Sequence, residues 1–197
     1  MKTRWAVAAA LVLCASSWAQ DWRMILNYNI AVPGKEMLPY INNTSVLGFS
    51  LDARRMVSPH VSVGGSLGQQ LFYRQMGAEG PNAAGFLGAQ IRFMNAFPLM
   101  LNTHVYLGDS AGMRPYAGIN VGAFYAWRRA EMGVFVFEGR NWQWGMAPEI
   151  GAIFPLGRAD LNVAAKMNCI GQPCFSMVNS ERNFYMSINV GMVFSAL

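Results

Sequence analysis

Residues 184–194 constrain the fold more than any other stretch. Their even positions carry Phe184, Met186, Ile188, Val190, Met192 and Phe194, and the odd ones Tyr185, Ser187, Asn189, Gly191 and Val193. Successive side chains of a strand point to opposite faces, so this segment has one apolar face and one that is mostly small or polar. The pattern returns along the chain. Residues 22–32 alternate Trp22, Met24, Leu26, Tyr28, Ile30 and Val32 with Arg23, Asn27 and Asn29. Residues 45–57 set Leu47, Phe49, Leu51 and Ala53 against Ser50, Asp52 and Arg54. Residues 61–73 set Val61, Val63, Leu67, Leu71 and Tyr73 against Ser62, Gly64, Ser66, Gly68 and Gln70. Repeated alternation of this kind predicts a closed barrel whose outside meets lipid. The alternative is a soluble barrel with a greasy lumen, which would turn Asp52, Arg92 and Glu149 to solvent.

Composition supports the lipid-facing version. Hydrophobic residues make up 53% of the chain, yet beyond residue 19 no apolar run approaches the roughly 20 residues of a helical membrane span. Strands that show every second side chain to lipid reconcile the two facts. Residues 1–19 read as a signal peptide: Lys2 and Arg4, an apolar run from Trp5 to Ala15, then Ser17, Trp18 and Ala19 as the small-x-small cleavage site. Residues 20–197 then form a single barrel domain. Without Lys2 and Arg4 the basic residues number 13 against 10 acids. Their scatter gives no nucleic-acid-binding face.

Further strands are expected over residues 85–93, 99–107, 116–127, 142–154 and 159–167, with a short turn from Asn95 to Pro98 and a loop over 108–114. That makes nine, whereas closed bacterial barrels usually have an even number. Residues 132–138 are the one candidate for a further strand, so the alternation predicts an all-β, transmembrane, antiparallel up-and-down barrel of ten strands, with eight as the alternative. Pro148 removes a ladder donor inside a strand and predicts a local bulge.

Charges test the facing. Lys, Arg, Asp and Glu are absent from the middles of the outward faces, and Arg55 and Arg129 fall in phase only at strand ends. A mid-membrane charge there costs about 2–4 kcal/mol. Trp22, Phe97, Trp127, Trp142 and Phe194 lie near strand ends, where aromatic girdles belong. The inward positions mix glycines with a polar network of Asp52, Arg54, Arg92, His104, Glu149 and Lys166. A packed polar plug is favoured over a narrow, cation-lined pore, because small barrels fill their interiors with side chains.

Several segments resemble the small bacterial outer-membrane β-barrel domains of the OmpA/OmpX-like type. They are residues 48–54 (GFSLDAR), 61–65 (VSVGG), 115–122 (PYAGINVG) and, most particular, 144–151 (WGMAPEIG). Asn189, Gly191 and Phe194 resemble the C-terminal assembly signal of such barrels, although Ala196 stands where a large apolar residue is usual and Leu197 follows. The resemblance implies an outer-membrane location, contact with outer-membrane lipid and insertion by the barrel-assembly machinery. It implies no single activity.

Little chemistry is visible. His104 faces the lumen, and His104 with Asp109 is the nearest approach to a catalytic pair at an outer rim, which a surface hydrolase would need. There is no metal-spaced Cys/His cluster and no phosphate loop, so no catalytic residue, metal or cofactor is expected. Cys169 and Cys174 lie in Cys-Ile-Gly-Gln-Pro-Cys, within a predicted external loop, and predict a disulfide in an oxidising compartment. The expectation is a non-enzymatic barrel with a structural or interaction role, its external loops meeting an envelope or extracellular protein. A small porin-like channel is the alternative, with Arg54 and Arg92 as selectivity candidates.

Overall fold

The structure, a computed structural model, describes residues 22–76, 90–108, 112–132, 134–157, 159–171 and 183–195. Eight strands follow one another: β1 (Trp22–Pro33), β2 (Ser45–Ser58), β3 (Val61–Met76), β4 (Gln90–Tyr106), β5 (Arg114–Met132), β6 (Phe135–Pro155), β7 (Asp160–Ile170) and β8 (Asn183–Ser195). Each pairs antiparallel with its neighbour in sequence, and β1 pairs with β8, so the barrel is closed and up-and-down. Closure leaves the spanning sheet without an open edge, which is what a bilayer demands of a spanning chain.

The strand count corrects the preference for ten. Asn95 and Pro98 predict a turn between residues 85–93 and 99–107, but β4 runs unbroken across it from Gln90 to Tyr106. The alternation carries the reason. Ile91, Phe93, Leu99, Leu101 and Val105 share odd parity, so the outward phase never breaks. Pro98 lacks an N–H, and its effect falls on one side alone. The β3–β4 ladder skips from Leu67↔Leu99 to Gln70↔Ala96, while the β4–β5 ladder is continuous from Gln90↔Met132 to Tyr106↔Tyr116. Residues 132–138 are not a separate strand either. Residues 135–138 instead open β6, which pairs with β5 up to Met132↔Phe135.

Pro148 follows the same rule, and the expected bulge is absent. The β5–β6 register is unshifted through Ile119↔Pro148, and the β6–β7 ladder resumes in register at Glu149↔Lys166 after a gap. One missing donor interrupts one ladder and leaves the strand straight.

With eight strands, the 59–60, 107–113 and 156–159 connections share one end of the barrel with the start of β1 and the end of β8. Cross-links tie that end together: the Tyr106 N–H donates to the His60 carbonyl at 2.8 Å, and the Arg114 guanidinium donates to the Pro59 carbonyl. Short turns belong on the periplasmic side of such barrels, so this is the lower end here.

The outer wall is apolar. Leu26, Leu99, Leu101, Val121, Ile150 and Ile188 are all exposed, Leu101 to 76%. In water this would be an untenable patch; in lipid it is the solvent-matched surface. The facing is therefore that of a membrane barrel, with polar and small residues inside. Phe97, Tyr125 and Trp142 occupy adjacent register positions on β4, β5 and β6, with ring centroids 6.1 and 5.1 Å apart, and form an aromatic girdle at the upper edge of that wall.

Candidate functional site: a filled lumen beneath a projecting sheet

The lower lumen is organised around Glu149. Its Oε1 accepts from Arg54 Nη2 at 2.9 Å and from the Tyr116 hydroxyl at 2.8 Å. Its Oε2 accepts from Asn120 Nδ2 at 3.1 Å and lies 3.0 Å from Lys166 Nζ. Arg54 also reaches Asp52 Oδ2 at 2.8 Å, and its guanidinium stacks over the Tyr116 ring at 4.9 Å. Arg54 and Asp52 are completely buried, and Glu149 and Lys166 nearly so. Two carboxylates thus meet two cations inside the wall, which is the arrangement that makes buried charge tolerable.

His104 sits at the edge of this cluster. Its Nε2 is 3.6 Å from Glu149 Oε2, which is beyond hydrogen-bond range, and neither ring nitrogen has a hydrogen-bond partner among the described residues. The ring packs edge-on against Tyr116 at 5.3 Å. Gly118, its register neighbour, leaves the space: a methyl group there would overlap the imidazole.

A neutral polar group adjoins the charges, joined to them by the Tyr116 hydroxyl, which also meets Asn162 Oδ1 at 2.9 Å. Asn162 donates to Asn27 at 2.9 Å, and Ser50 bridges towards Asn27 and Asn29. A cavity of only about 20 Å³ remains beside Ser50, Ser66, Gln70 and Lys166, room for a water molecule or so. Higher up the lumen is apolar. Phe72, Met94, Phe124, Ile170 and Tyr185 fill it, and Met37 and Ile41 of the 34–44 loop pack down onto them. Phe72 and Tyr185 meet edge to face at 5.3 Å. Among the described residues, that layer is apolar side chain packed on apolar side chain.

The structure therefore brings Asp52, Arg54, Glu149, Lys166 and His104 into one cluster, and it separates Arg92 from them. Arg92 lies near the upper end of β4, where its Nη1 donates to the carbonyls of Pro39 and Tyr40 at 3.0 and 3.3 Å. The inward phase expected for Arg92 holds, but its height does not: a turn at Asn95 to Pro98 would put residue 92 at the short-turn end of its strand, whereas β4 continues and leaves it near the other end. The same error bears on His104: it lies near the short-turn end, away from the outer rim where a surface hydrolase would need it. Asp109 is outside the described residues. The apolar stopper went unread, although Phe72, Met94, Phe124 and Tyr185 all carry inward parity and could have been found by following that phase to the strand ends. Cys169 lies in β7, not in a loop; it is buried and takes part in a disulfide. Cys174 lies outside the described residues.

The strands differ in length, and the difference has a direction. A tilted strand crosses the hydrocarbon in about 9–11 residues. β1, β7 and β8, with 12, 11 and 13 residues, do little more than that. β3 to β6 have 16, 17, 19 and 21. The β6–β7 ladder starts at Gly145↔Ile170, while β5 and β6 stay paired up to Met132↔Phe135. A sheet of β3, β4, β5 and β6 thus continues above the girdle on one side of the mouth, with no described β7 partner along residues 135–144. Val134, Phe135, Val136 and Phe137 at its tip are exposed, Val134 to 91%.

No family model matches the chain, and no curated protein does. Solved structures do. Neisserial surface protein A matches with a TM-score of 0.53 and 11% identity over 88% of this chain and 96% of that one. Ail, the attachment invasion locus protein of Yersinia pestis, matches with 0.54 and 11% over 89% and 99%. The fold is that of the small OmpA/OmpX-like outer-membrane barrels. At such identity the similarity to Ail and the neisserial protein speaks for the OmpA/OmpX-like fold alone. The lumen and the projecting sheet are read from this chain's own residues.

Proposed function

We propose that this protein is an outer-membrane barrel with a structural and interaction role, the filled barrel serving as anchor and the projecting sheet as the contact surface. One observation carries the reading: the lumen is closed by a buried ion cluster and an apolar stopper, while β3 to β6 extend beyond the length a membrane requires. Strand that is not needed for spanning, ending in exposed Val134, Phe135, Val136 and Phe137, supports contact with another protein at the cell surface. Export by a cleaved signal peptide and insertion by the barrel-assembly machinery complete the proposal, with Asn189, Gly191 and Phe194 of β8 as the assembly signal.

The test is a photo-crosslinking amino acid placed at Val136 in cells, with the same group at Leu101 on the lipid-facing wall as control. Discrete protein adducts from position 136 alone support the contact surface. Absence of adducts from both positions in a folded, surface-exposed barrel refutes it.

A further inference from the structure

Arginines stand on both faces of the projecting sheet, and only one set is paired with acids. On the outward face Arg129 lies 2.6 Å from Glu131 and 3.5 Å from Glu138, and Arg140 lies 3.3 Å from Glu138. On the opposite face, towards the barrel axis, Arg74, Arg92 and Arg128 come from three adjacent strands. Arg74 is directly opposite Arg92 in the β3–β4 register, and Arg128, opposite Met94, is one diagonal step from Arg92. Directly opposed side chains have Cβ atoms about 4.5–5.5 Å apart, and diagonal neighbours about 7–8 Å. Among the described residues no carboxylate pairs with any of these three.

Opposed like charges weaken a sheet, and this hairpin has acids that it places on the other face. Neutral oxygens meet part of the need: Arg74 donates to the Leu38 carbonyl, and Arg92 donates to the carbonyls of Pro39 and Tyr40 and, through Nη2, to Gln90 Oε1 at 3.2 Å. The Tyr40 ring lies 5.1 Å from the Arg92 guanidinium and 5.9 Å from that of Arg128. Burial raises the Tyr40 phenol above its ordinary value, against the pull of Arg128 and Arg92, so it remains a neutral wall between them. None of these contacts cancels charge. The row Arg74, Arg92, Ala130 and Phe137 runs straight across the four strands. Ala130 is small, so the exposed Phe137 ring stands open beside the guanidinium cluster.

We propose that Arg74, Arg92 and Arg128 form a binding site for the phosphate monoester of a phosphorylated saccharide, with Phe137 receiving the sugar ring. A phosphate monoester carries about −1.5 to −2 charge and three acceptor oxygens, which suits a row of three guanidinium groups on adjacent strands better than a singly charged carboxylate does. The source lies in the external medium. Bilayer headgroups surround the outward face, where Arg129 and Arg140 already have carboxylate partners. The site deepens the contact-surface reading, on which it rests, by naming a ligand class for its inner face.

The test uses the full folded chain in nanodiscs of zwitterionic phospholipid, in phosphate-free buffer, with arginine Nε–H resonances followed by NMR. Titration with glucose 6-phosphate should shift Arg74, Arg92 and Arg128 saturably and leave Arg140 unmoved, and glucose should do nothing. Arg128→Gln, which breaks no hydrogen bond to a described loop residue, should weaken binding at least tenfold, and Phe137→Ser should erase the preference for glucose 6-phosphate over inorganic phosphate. Absence of saturation in the folded wild type overturns the proposal, as does acetate binding equally well or Arg128→Gln changing nothing. The titration needs no protein partner, so its failure is distinguishable from failure of the crosslinking experiment.

Discussion

Replacing Glu149 by Gln tests the anchor most directly, because it removes one charge and almost no volume. Glu149 Oε1 accepts from Arg54 and Tyr116, and Oε2 accepts from Asn120 beside the Lys166 ammonium. A glutamine satisfies only half of this. With its amide nitrogen at the Oε2 position, two hydrogens point at the donors Asn120 and Lys166; with the amide turned over, they point at Arg54. In either rotamer the cluster keeps two buried cations against Asp52 alone. Removing one partner of a buried pair costs about 3–5 kcal/mol, since the other charge is left uncompensated, and about that loss is expected. Asp52→Asn should cost less, because Asp52 makes a single ion pair, at 2.8 Å to Arg54. The assay is reversible urea unfolding in lipid vesicles, followed by tryptophan fluorescence and by heat-modifiable gel mobility. Lys166→Met added to Glu149→Gln restores neutrality and should recover part of the loss. A cost below about 1 kcal/mol for Glu149→Gln, with no recovery in the double variant, would show that the ion cluster does not hold the barrel together.

Three further outcomes are expected. Leu101→Arg, at the most exposed of the mid-wall leucines, should cost about 2–4 kcal/mol in the same unfolding assay. Val134→Arg at the hairpin tip should cost close to nothing, and equal costs at the two sites would contradict the membrane placement. In planar bilayers the folded protein should show no discrete conductance steps, whereas steady steps would mean that the apolar layer of Phe72, Phe124 and Tyr185 opens. A thiol reagent should label Cys169 and Cys174 only after reduction; equal labelling with and without reductant would rule out the proposed bridge between them.

Facing was legible in the sequence because it is local. A period of two depends on nothing but strand geometry, so the outward positions of every strand, and the inward ones of Asp52, Arg54, His104, Glu149 and Lys166, could be read one segment at a time. So could the girdle positions Phe97 and Trp142. Strand number could not, because it depends on whether a proline ends a strand or costs it one hydrogen bond, and only the neighbouring ladder decides that. At Pro98 and Pro148 the partner on the other side holds the register, and the strand continues. Height along the barrel axis follows from strand number, so it was lost with it. Arg92 therefore entered the wrong cluster, and His104 was imagined near a rim it does not approach.

Alternation, an outward apolar face and the exclusion of charge from the lipid are all properties of single segments, and each can be read from the order of residues. Tertiary structure alone decided which charges meet. The Glu149 cluster joins β2, β4, β5, β6 and β7, and the arginine row above it joins β3, β4 and β5. Such contacts arise from closure and stagger of the whole sheet, and no segment carries that information alone.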